Sequence, residues 1–226
     1  KQLRDFKNEH PLAVLTAYSS AMAQYLESAQ IPIILVGDSV AMVELGYQAT
    51  RYVDMDSMCH HIGAVRRGAP HTHIIGDMPF GSYQISTQDA VANAVRFHKE
   101  AGVDAVKLEG GRTVTDVITA IANSGMLVIG HIGLTPQSSN ALGGFKAQGL
   151  TADTAIDVIE DARAIYEAGA FAILIEGVPP EVTKIIRDEL PIPIYSIGAG
   201  AHADGQLMII SDIVGHFQAF TPKFVK

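Results

Sequence analysis

The chain has 226 residues, 48% hydrophobic and 18% charged, which is typical of a folded globular protein and excludes an intrinsically disordered one. The formal net charge of −8, without a clustered stripe of Lys and Arg, argues against a nucleic-acid partner, and no apolar run approaches the ~20 residues that cross a bilayer. The single cysteine, Cys59, excludes an internal disulfide and suits a reducing compartment, so we expect a soluble cytoplasmic α/β protein.

Short apolar runs alternate with amphipathic stretches along the whole chain, a pattern that predicts repeated β–α units on a parallel sheet. In chain order, the predicted strands are "LAVLTAY" (12–18), "PIILVGD" (32–38), "HIIGD" (73–77), "AVKLEG" (105–110), "LVIGHIG" (127–133), "FAILIEG" (171–177) and "IPIYSIGAG" (192–200). An eighth segment, "LMIISDIVG" (207–215), fits either a strand or a short helix.

Local signals between the strands predict where helices start and end. Ser86 with Asp89 and Thr113 with Asp116 fit the pattern of an N-terminal cap. Helix ends are predicted at glycines that can take the left-handed conformation: Gly102, Gly125 and Gly169.

Seven or eight such units favour a (β/α)8 TIM barrel over a doubly wound sheet. The turn after the first strand lacks the G-x-G-x-x-G pattern, so a dinucleotide-binding Rossmann site has little support. We predict a single domain over residues 1–226. Because the chain ends at "TPKFVK" (221–226), a full eighth helix does not fit, and we expect that this C-terminal helix is missing or that the barrel closes by other means.

Four predicted strands end on an acid, and two of these strands are near-copies of each other. "EAGVDAVKLEGG" (100–111) recurs as "EAGAFAILIEGV" (167–178). The four acids are Asp38, Asp77, Glu109 and Glu176, and His131 lies near the end of the fifth strand. In a barrel these strand ends meet at one mouth, where catalytic groups sit. Converging carboxylates repel one another, so a divalent cation, a raised pKa or a fixed positive charge must accompany them.

The first copy carries a lysine that the second lacks. Lys107 and Glu109 share a strand face, so we expect the ammonium to keep Glu109 ionised, with a lowered pKa, and to hold an anionic substrate group. Asp38, Asp77 and Glu109 offer the hard oxygen ligands that suit Mg²⁺.

The second copy has Leu174 in place of the lysine, so Glu176 is the better candidate for a general base. A single acid after a strand is more often a helix cap or a loop residue, and a lone His131 is more often structural. Four acids at corresponding positions favour a shared site.

Several short stretches occur in a specific order and spacing. They are "VGDS" (36–39), "AVRRGAP" (64–70), "DMPF" (77–80), "VKLEGG" (106–111), "GHIGLTPQS" (130–138), "GGFKAQG" (143–149), and "IGAG" (197–200) followed by "DGQ" (204–206). Through them the sequence resembles the ketopantoate hydroxymethyltransferase family over nearly its whole length.

The resemblance implies a barrel of the phosphoenolpyruvate mutase and isocitrate lyase type, usually assembled as a homodecamer. It implies transfer of a hydroxymethyl group from 5,10-methylenetetrahydrofolate to the α-keto acid 3-methyl-2-oxobutanoate, in pantothenate and coenzyme A synthesis, through an enolate and with Mg²⁺. By resemblance, Asp38, Ser39, Asp77, Lys107 and His131 contact the keto acid, Asp38, Asp77 and Glu109 bind the metal, and Glu176 is the base.

The sequence departs from the family at three places. Ser19 follows Tyr18 where the family usually has Asp, "GYQATRYVD" (46–54) replaces a segment that usually reads "GH…TLPVT", and "EGVP" (176–179) replaces "ECVP". The second change is close to the predicted mouth and leaves the second substrate open, so a related Mg²⁺-dependent carbon–carbon lyase or aldolase acting on another keto acid is an alternative. A catalytically silent barrel that serves as an oligomeric scaffold is another, but buried charges without a function are costly.

Overall fold

The structure, a computed structural model, describes residue 7 and residues 11–141 and 143–217. In these residues eight parallel strands form a closed barrel, each strand paired with its neighbours in chain order, which confirms the predicted (β/α)8 TIM barrel. The strands are β1 (Leu12–Thr16), β2 (Ile33–Val36), β3 (His73–Asp77), β4 (Ala105–Glu109), β5 (Leu127–Gly133), β6 (Ala172–Glu176), β7 (Ile194–Ile197) and β8 (Gly205–Met208).

Helices lie between the strands in the chain and cover the outside of the barrel. The α-helices of the described ranges are α1 (Ser20–Ser28), α2 (Val40–Val43), α3 (Met55–Gly68), α4 (Thr87–Arg96), α5 (Thr115–Asn123), α6 (Ala152–Glu167), α7 (Pro180–Glu189) and α8 (Ile210–Ile213). Short 3₁₀ helices cover Thr50–Tyr52, Arg112–Val114 and Pro136–Ser138, and a π-helical turn covers Phe97–Ala101. No helix among the described residues is long and apolar enough to cross a membrane.

The first seven strands fall within their predicted ranges, whereas the eighth differs. β8 begins at Gly205, two residues before the predicted segment, and the later part of that segment forms α8. Gly205 pairs with Leu12 of β1, and a Cβ on it would lie 2.5 Å from the carbonyl oxygen of Leu12. The missing side chain therefore lets β8 approach β1 and close the barrel, although glycine is usually depleted in strands. The prediction of a missing C-terminal helix falls partly on residues 218–226, which lie outside the described residues.

The helix signals were right in all but one case. Ser86 caps α4, because its Oγ accepts a hydrogen bond from the backbone N–H of Asp89 at 3.0 Å. The predicted cap at Thr113 is wrong, because the chain first makes a 3₁₀ turn and α5 starts after Val114 without a side-chain cap. The predicted terminating glycines all have positive φ: Gly102 (82°), Gly125 (92°) and Gly169 (105°).

The core has two layers, because side chains alternate faces along each strand. On β4, Val106 and Leu108 pack outward against the helices, while Ala105 joins the apolar interior of the barrel. Lys107 and Glu109 point to the same inner side, nearer the carboxyl end of the strand, where they line a cavity. The interior is thus apolar at the amino ends of the strands and charged at the carboxyl ends, which is where the fold places a site.

Candidate active site

A cavity of about 560 Å³ opens at the carboxyl ends of the strands. Its walls include all seven residues that the sequence assigned to the site: Asp38, Ser39, Asp77, Lys107, Glu109, His131 and Glu176. Asp38 and Ser39 lie in the turn after β2, and the other five lie on β3 to β6. The structure therefore brings together side chains that are up to 138 positions apart in the sequence, from 38 to 176.

Sheet register sets which of these side chains are neighbours. Asp77 pairs with Lys107 between β3 and β4, and Glu109 pairs with His131 between β4 and β5. Glu176 is the last residue of β6, opposite Gly133. Since paired residues of parallel strands carry their side chains to the same face, this register places Asp77, Lys107, Glu109 and His131 in one polar band on the cavity wall.

Lys107 is the cation at the centre of the band. Its Nζ lies 2.8 Å from Oδ1 of Asp77 and 4.0 Å from Oε1 of Glu109, and all three side chains are at most 5% exposed. Burial alone would lower the pKa of Lys107, but the surrounding carboxylates outweigh burial and raise its pKa above the usual range. Burial raises the pKa of Asp77 well above its usual range, because Lys107 only partly offsets the loss of water. The lysine is therefore held as an ammonium ion.

Glu109 differs from the expectation of a lowered pKa. Its burial raises its pKa to about 8, with Lys107 opposing that rise. Nζ of Lys107 is much closer to Asp77 than to Glu109, so its charge acts mainly on Asp77. At Glu109 the loss of water therefore determines the direction of the pKa shift.

His131 lies between the two glutamates. Its Nδ1 is 3.3 Å from Nζ of Lys107, and its Nε2 is 3.2 Å from Oε2 of Glu176. Burial, followed by the positive charge of Lys107, lowers the pKa of His131, which favours the neutral ring. An ammonium ion can only donate, so Nδ1 is the acceptor and the ring hydrogen is on Nε2, facing Glu176.

The turn after β2 supplies the other polar groups. The backbone N–H of Asp38 donates to Oδ2 of Asp77 at 3.0 Å, which ties the two acid-bearing strand ends together. Oγ of Ser39 lies 2.8 Å from the hydroxyl of buried Tyr18. This bond holds the serine hydroxyl in place at the cavity wall.

The whole chain, residues 1–226, matches the ketopantoate hydroxymethyltransferase family. Among curated relatives named 3-methyl-2-oxobutanoate hydroxymethyltransferase, one from Alkaliphilus metalliredigens is 60% identical over 220 residues, covering 97% of this chain and 78% of the relative. One from Clostridium acetobutylicum is 53% identical over 221 residues, covering 98% and 80%. The chain belongs to the ketopantoate hydroxymethyltransferase family. It is thus an enzyme, a hydroxymethyltransferase.

Solved structures of other enzymes share the fold of this hydroxymethyltransferase. Phosphonopyruvate hydrolase has a TM-score of 0.71 at 15% identity, with 94% of this chain and 82% of that chain covered. The 2,3-dimethylmalate lyase, a PEP mutase/isocitrate lyase superfamily member, has a TM-score of 0.69 at 15% identity, with 92% and 79% covered. At such low identity the likeness concerns the fold alone, and it confirms the barrel type that the resemblance implied.

Two polar residues of the site were not predicted from the sequence. Gln137, in the 3₁₀ turn after β5, is 3% exposed and hydrogen-bonded to both Asp38 and Glu109. Thr50, within the departing segment 46–54, lines the cavity at 5% exposure, and its Oγ1 has no hydrogen-bond partner among the described residues. Polar side chains in loops are usually exposed, so nothing in the local pattern predicts that these two are buried. The only signal for Gln137 is that it lies within the motif "GHIGLTPQS" (130–138).

The acids of the cavity fit a hard divalent cation. Oε1 of Glu109 is buried without a hydrogen-bond partner among the described residues, and the donor set consists of carboxylate oxygens without a thiolate. In the described part of the chain, no three His, Cys, Asp or Glu side chains converge closely enough to hold an ion by themselves. Mg²⁺ does not require this, because it binds through one or two carboxylates and keeps several waters.

Proposed function

We propose that this hydroxymethyltransferase forms ketopantoate from 3-methyl-2-oxobutanoate, with 5,10-methylenetetrahydrofolate as the one-carbon donor, in pantothenate and coenzyme A synthesis. The names of the relatives support the acceptor and the transferred group. The observation that carries the mechanism is a single cavity that holds a partly exposed glutamate, Glu176, beside a buried cluster of Lys107, Asp77 and Glu109.

Glu176 is the proposed base. Its side chain is 16% exposed, whereas the carboxylates of Asp77 and Glu109 are each 2% exposed, so a substrate can reach it. It takes the proton from C3 of the keto acid and leaves an enolate. Nε2 of His131 lies 3.2 Å from Oε2 of Glu176, so the ring flanks the carboxylate before the proton is transferred.

The keto acid binds through groups on the other side of the cavity. The ammonium of Lys107 attracts its carboxylate, and the hydroxyl of Ser39, held by Tyr18, is a further hydrogen-bond donor. Asp38 and Asp77 would hold Mg²⁺, joined by Glu109 directly or through a water molecule. When bound, the cation supplies positive charge that stabilises negative charge developing on the keto oxygen.

Transfer then requires that the enolate carbon bond to the one-carbon unit of the donor. Both C–N bonds of that unit break, and water supplies the hydroxyl oxygen. The C3 proton and one proton of the water end on the two donor nitrogens. Leu134, Pro136 and Phe145, from the loop after β5, line the cavity and limit access of water to the enolate until the carbon–carbon bond has formed.

Turnover of the wild-type enzyme tests the proposal. We expect ketopantoate from 3-methyl-2-oxobutanoate and the folate donor with Mg²⁺, none in excess chelator, and slower turnover of other α-keto acids. Without the donor, we expect deuterium from solvent to enter C3.

The other readings give different outcomes. If the protein cleaves another keto acid, or adds it to an aldehyde, and does not act on 3-methyl-2-oxobutanoate, it is a lyase or aldolase. If the folded protein neither converts any of the α-keto acids tested nor exchanges their protons with solvent, it is a catalytically silent barrel.

A further inference from the structure

We infer that Gln137 is a positioning residue, which fixes the carboxylates of Asp38 and Glu109 relative to each other; the inference rests on the proposed function. Its backbone N–H donates to Oε2 of Glu109 at 2.9 Å, and its side-chain Nε2 donates to Oδ2 of Asp38 at 3.0 Å. One loop residue thus holds one oxygen of each acid.

The orientation of the Gln137 amide follows from its neighbours. Nε2 also donates to the carbonyl oxygen of Met78 at 2.9 Å, and Oε1 accepts from the hydroxyl of Tyr83 at 2.7 Å. A reversed amide would place an oxygen against both the carbonyl of Met78 and the carboxylate of Asp38. The two acceptors on one side and the hydroxyl on the other therefore fix the amide in one orientation.

Tyr83 extends this network to the backbone of β4. Its hydroxyl oxygen accepts from the backbone N–H of Glu109 at 3.1 Å, while its hydrogen serves Gln137. Glu109 is thus held at its backbone by Tyr83 and at its carboxylate by Gln137. Both Tyr83 and Gln137 are at most 3% exposed, so water does not compete for these bonds.

The arrangement leaves the other oxygen of Glu109 available to the site. Oε2 is occupied by Gln137, whereas Oε1 has no hydrogen-bond partner among the described residues. Without the bonds from Gln137, both acids could rotate and Asp38 would lose a charged hydrogen bond. The two carboxylates would then no longer be held in position to bind the cation and the keto acid, and this effect is separate from any loss of packing.

The test is the substitution Gln137→Met, which preserves side-chain length but removes the amide. Gln148→Met is the matched control, because Gln148 lies in the same loop and its side chain donates to the carbonyl of Lys146, 3.0 Å away. The readouts are the Kd of Mg²⁺ by titration calorimetry without keto acid, the melting temperature in chelator, and kcat and KM. We expect Gln137→Met to weaken Mg²⁺ binding at least about 10-fold, as seen when outer-shell partners of metal ligands are removed. Gln148→Met should keep the wild-type Kd.

A lower melting temperature with an unchanged Kd for Mg²⁺ would overturn the inference, since Gln137 would then only hold the loop. If Gln137→Met does not fold, Tyr83→Phe decides, because it removes the hydroxyl that fixes the amide; a wild-type Kd in that variant overturns the inference as well. A wild-type enzyme that neither binds Mg²⁺ nor forms ketopantoate would instead contradict the proposed function. The wild-type and variant titrations thus separate the two failures.

Discussion

The near-copies β4 and β6 both end on a glutamate, but the two carboxylates have different surroundings in the same cavity. Glu109 is buried, and its Oε2 accepts from the backbone of Gln137. Glu176 is partly exposed, and its Oε2 is 3.2 Å from His131. Two residues before each acid, the inner face of the barrel carries Lys107 in one copy and Leu174 in the other. A repeat in sequence therefore reproduces the backbone, while the neighbours of the acid decide its chemistry.

β5 lies between the two copies and connects them. His131 faces Lys107 with Nδ1 and Glu176 with Nε2, so one ring separates a buried ion cluster from a partly exposed carboxylate. The cluster is suited to binding charge, and the carboxylate at the opening is suited to exchanging a proton. Substitutions in either copy should therefore affect binding and proton exchange separately.

The largest effect is expected for Glu176→Gln. If Glu176 is the base, deuterium exchange into C3 of 3-methyl-2-oxobutanoate should fall by roughly 10²–10⁴-fold, the usual contribution of a positioned acid or base. Binding of Mg²⁺ and of the keto acid should persist. Exchange followed by NMR and metal binding followed by calorimetry measure the two properties.

Glu109→Gln is the matched variant in the other copy and should show the reverse pattern, with weaker binding of Mg²⁺ and keto acid. Rapid exchange in Glu176→Gln would assign the base elsewhere, with His131 the next candidate.

Lys107→Leu makes β4 match β6 at the position two residues before the acid. If the ammonium binds the carboxylate of the keto acid, KM for that acid should rise by about 10- to 150-fold, as expected for loss of a charged hydrogen bond worth roughly 1.5–3 kcal/mol. Steady-state kinetics with the melting temperature recorded alongside provide the measurement. An unchanged KM would mean that the lysine only balances Asp77 and Glu109.

The sequence was sufficient for the barrel fold and for seven residues that line the cavity, but not for Gln137 and Thr50. Alternating apolar runs located β1 to β7, and strand-end parity placed Lys107 and Glu109 on one face of β4. These features depend on local periodicity, which a single sequence displays. The start of β8 was not predicted, because position 205 needs a glycine for the close approach of β8 to β1, and this contact joins distant parts of the chain.

The electrostatics of the site could not be predicted from strand parity alone. The order of residues does not reveal that Lys107 lies nearer Asp77 of β3 than Glu109 of its own strand. It also does not reveal that Gln137, in a loop, reaches both Asp38 and Glu109. Each depends on distances across the barrel. Strand parity also does not reveal how deeply Glu109 is buried, and this burial raises the pKa that was expected to fall.

The glycines that follow the two glutamates should differ in their tolerance of a side chain. Gly110 has φ 129°, and a Cβ there would lie 2.9 Å from Val114; Gly177 has φ 58°, with Leu134 3.3 Å away. Gly110→Ala should cost about 2 kcal/mol or more of unfolding free energy, because that backbone region is nearly restricted to glycine.

Gly177→Ala should lower the free energy of unfolding by about 1 kcal/mol, because other residues can adopt the left-handed region at a modest cost. Denaturant unfolding of both variants gives the comparison. Equal costs would show that the backbone conformations of the two strand ends do not differ in solution.

The smallest effect concerns how the chain continues after each glutamate. Three residues after Glu109, Arg112 donates to Asp157, Glu160 and Asp161 of α6 at 2.7–2.9 Å, whereas Pro179 occupies the corresponding place after Glu176. The Arg112 pairs lie at the surface, so Arg112→Ala should lower the melting temperature only slightly in dilute buffer. The difference in melting temperature between Arg112→Ala and the wild type should vanish at about 1 M salt, where the screening length is about 3 Å.

Pro179→Ala should lower the melting temperature equally at both salt concentrations, because proline restricts the unfolded chain irrespective of charge. An Arg112→Ala effect that survives high salt would mean that packing of the arginine, and not its ion pairs, anchors this turn.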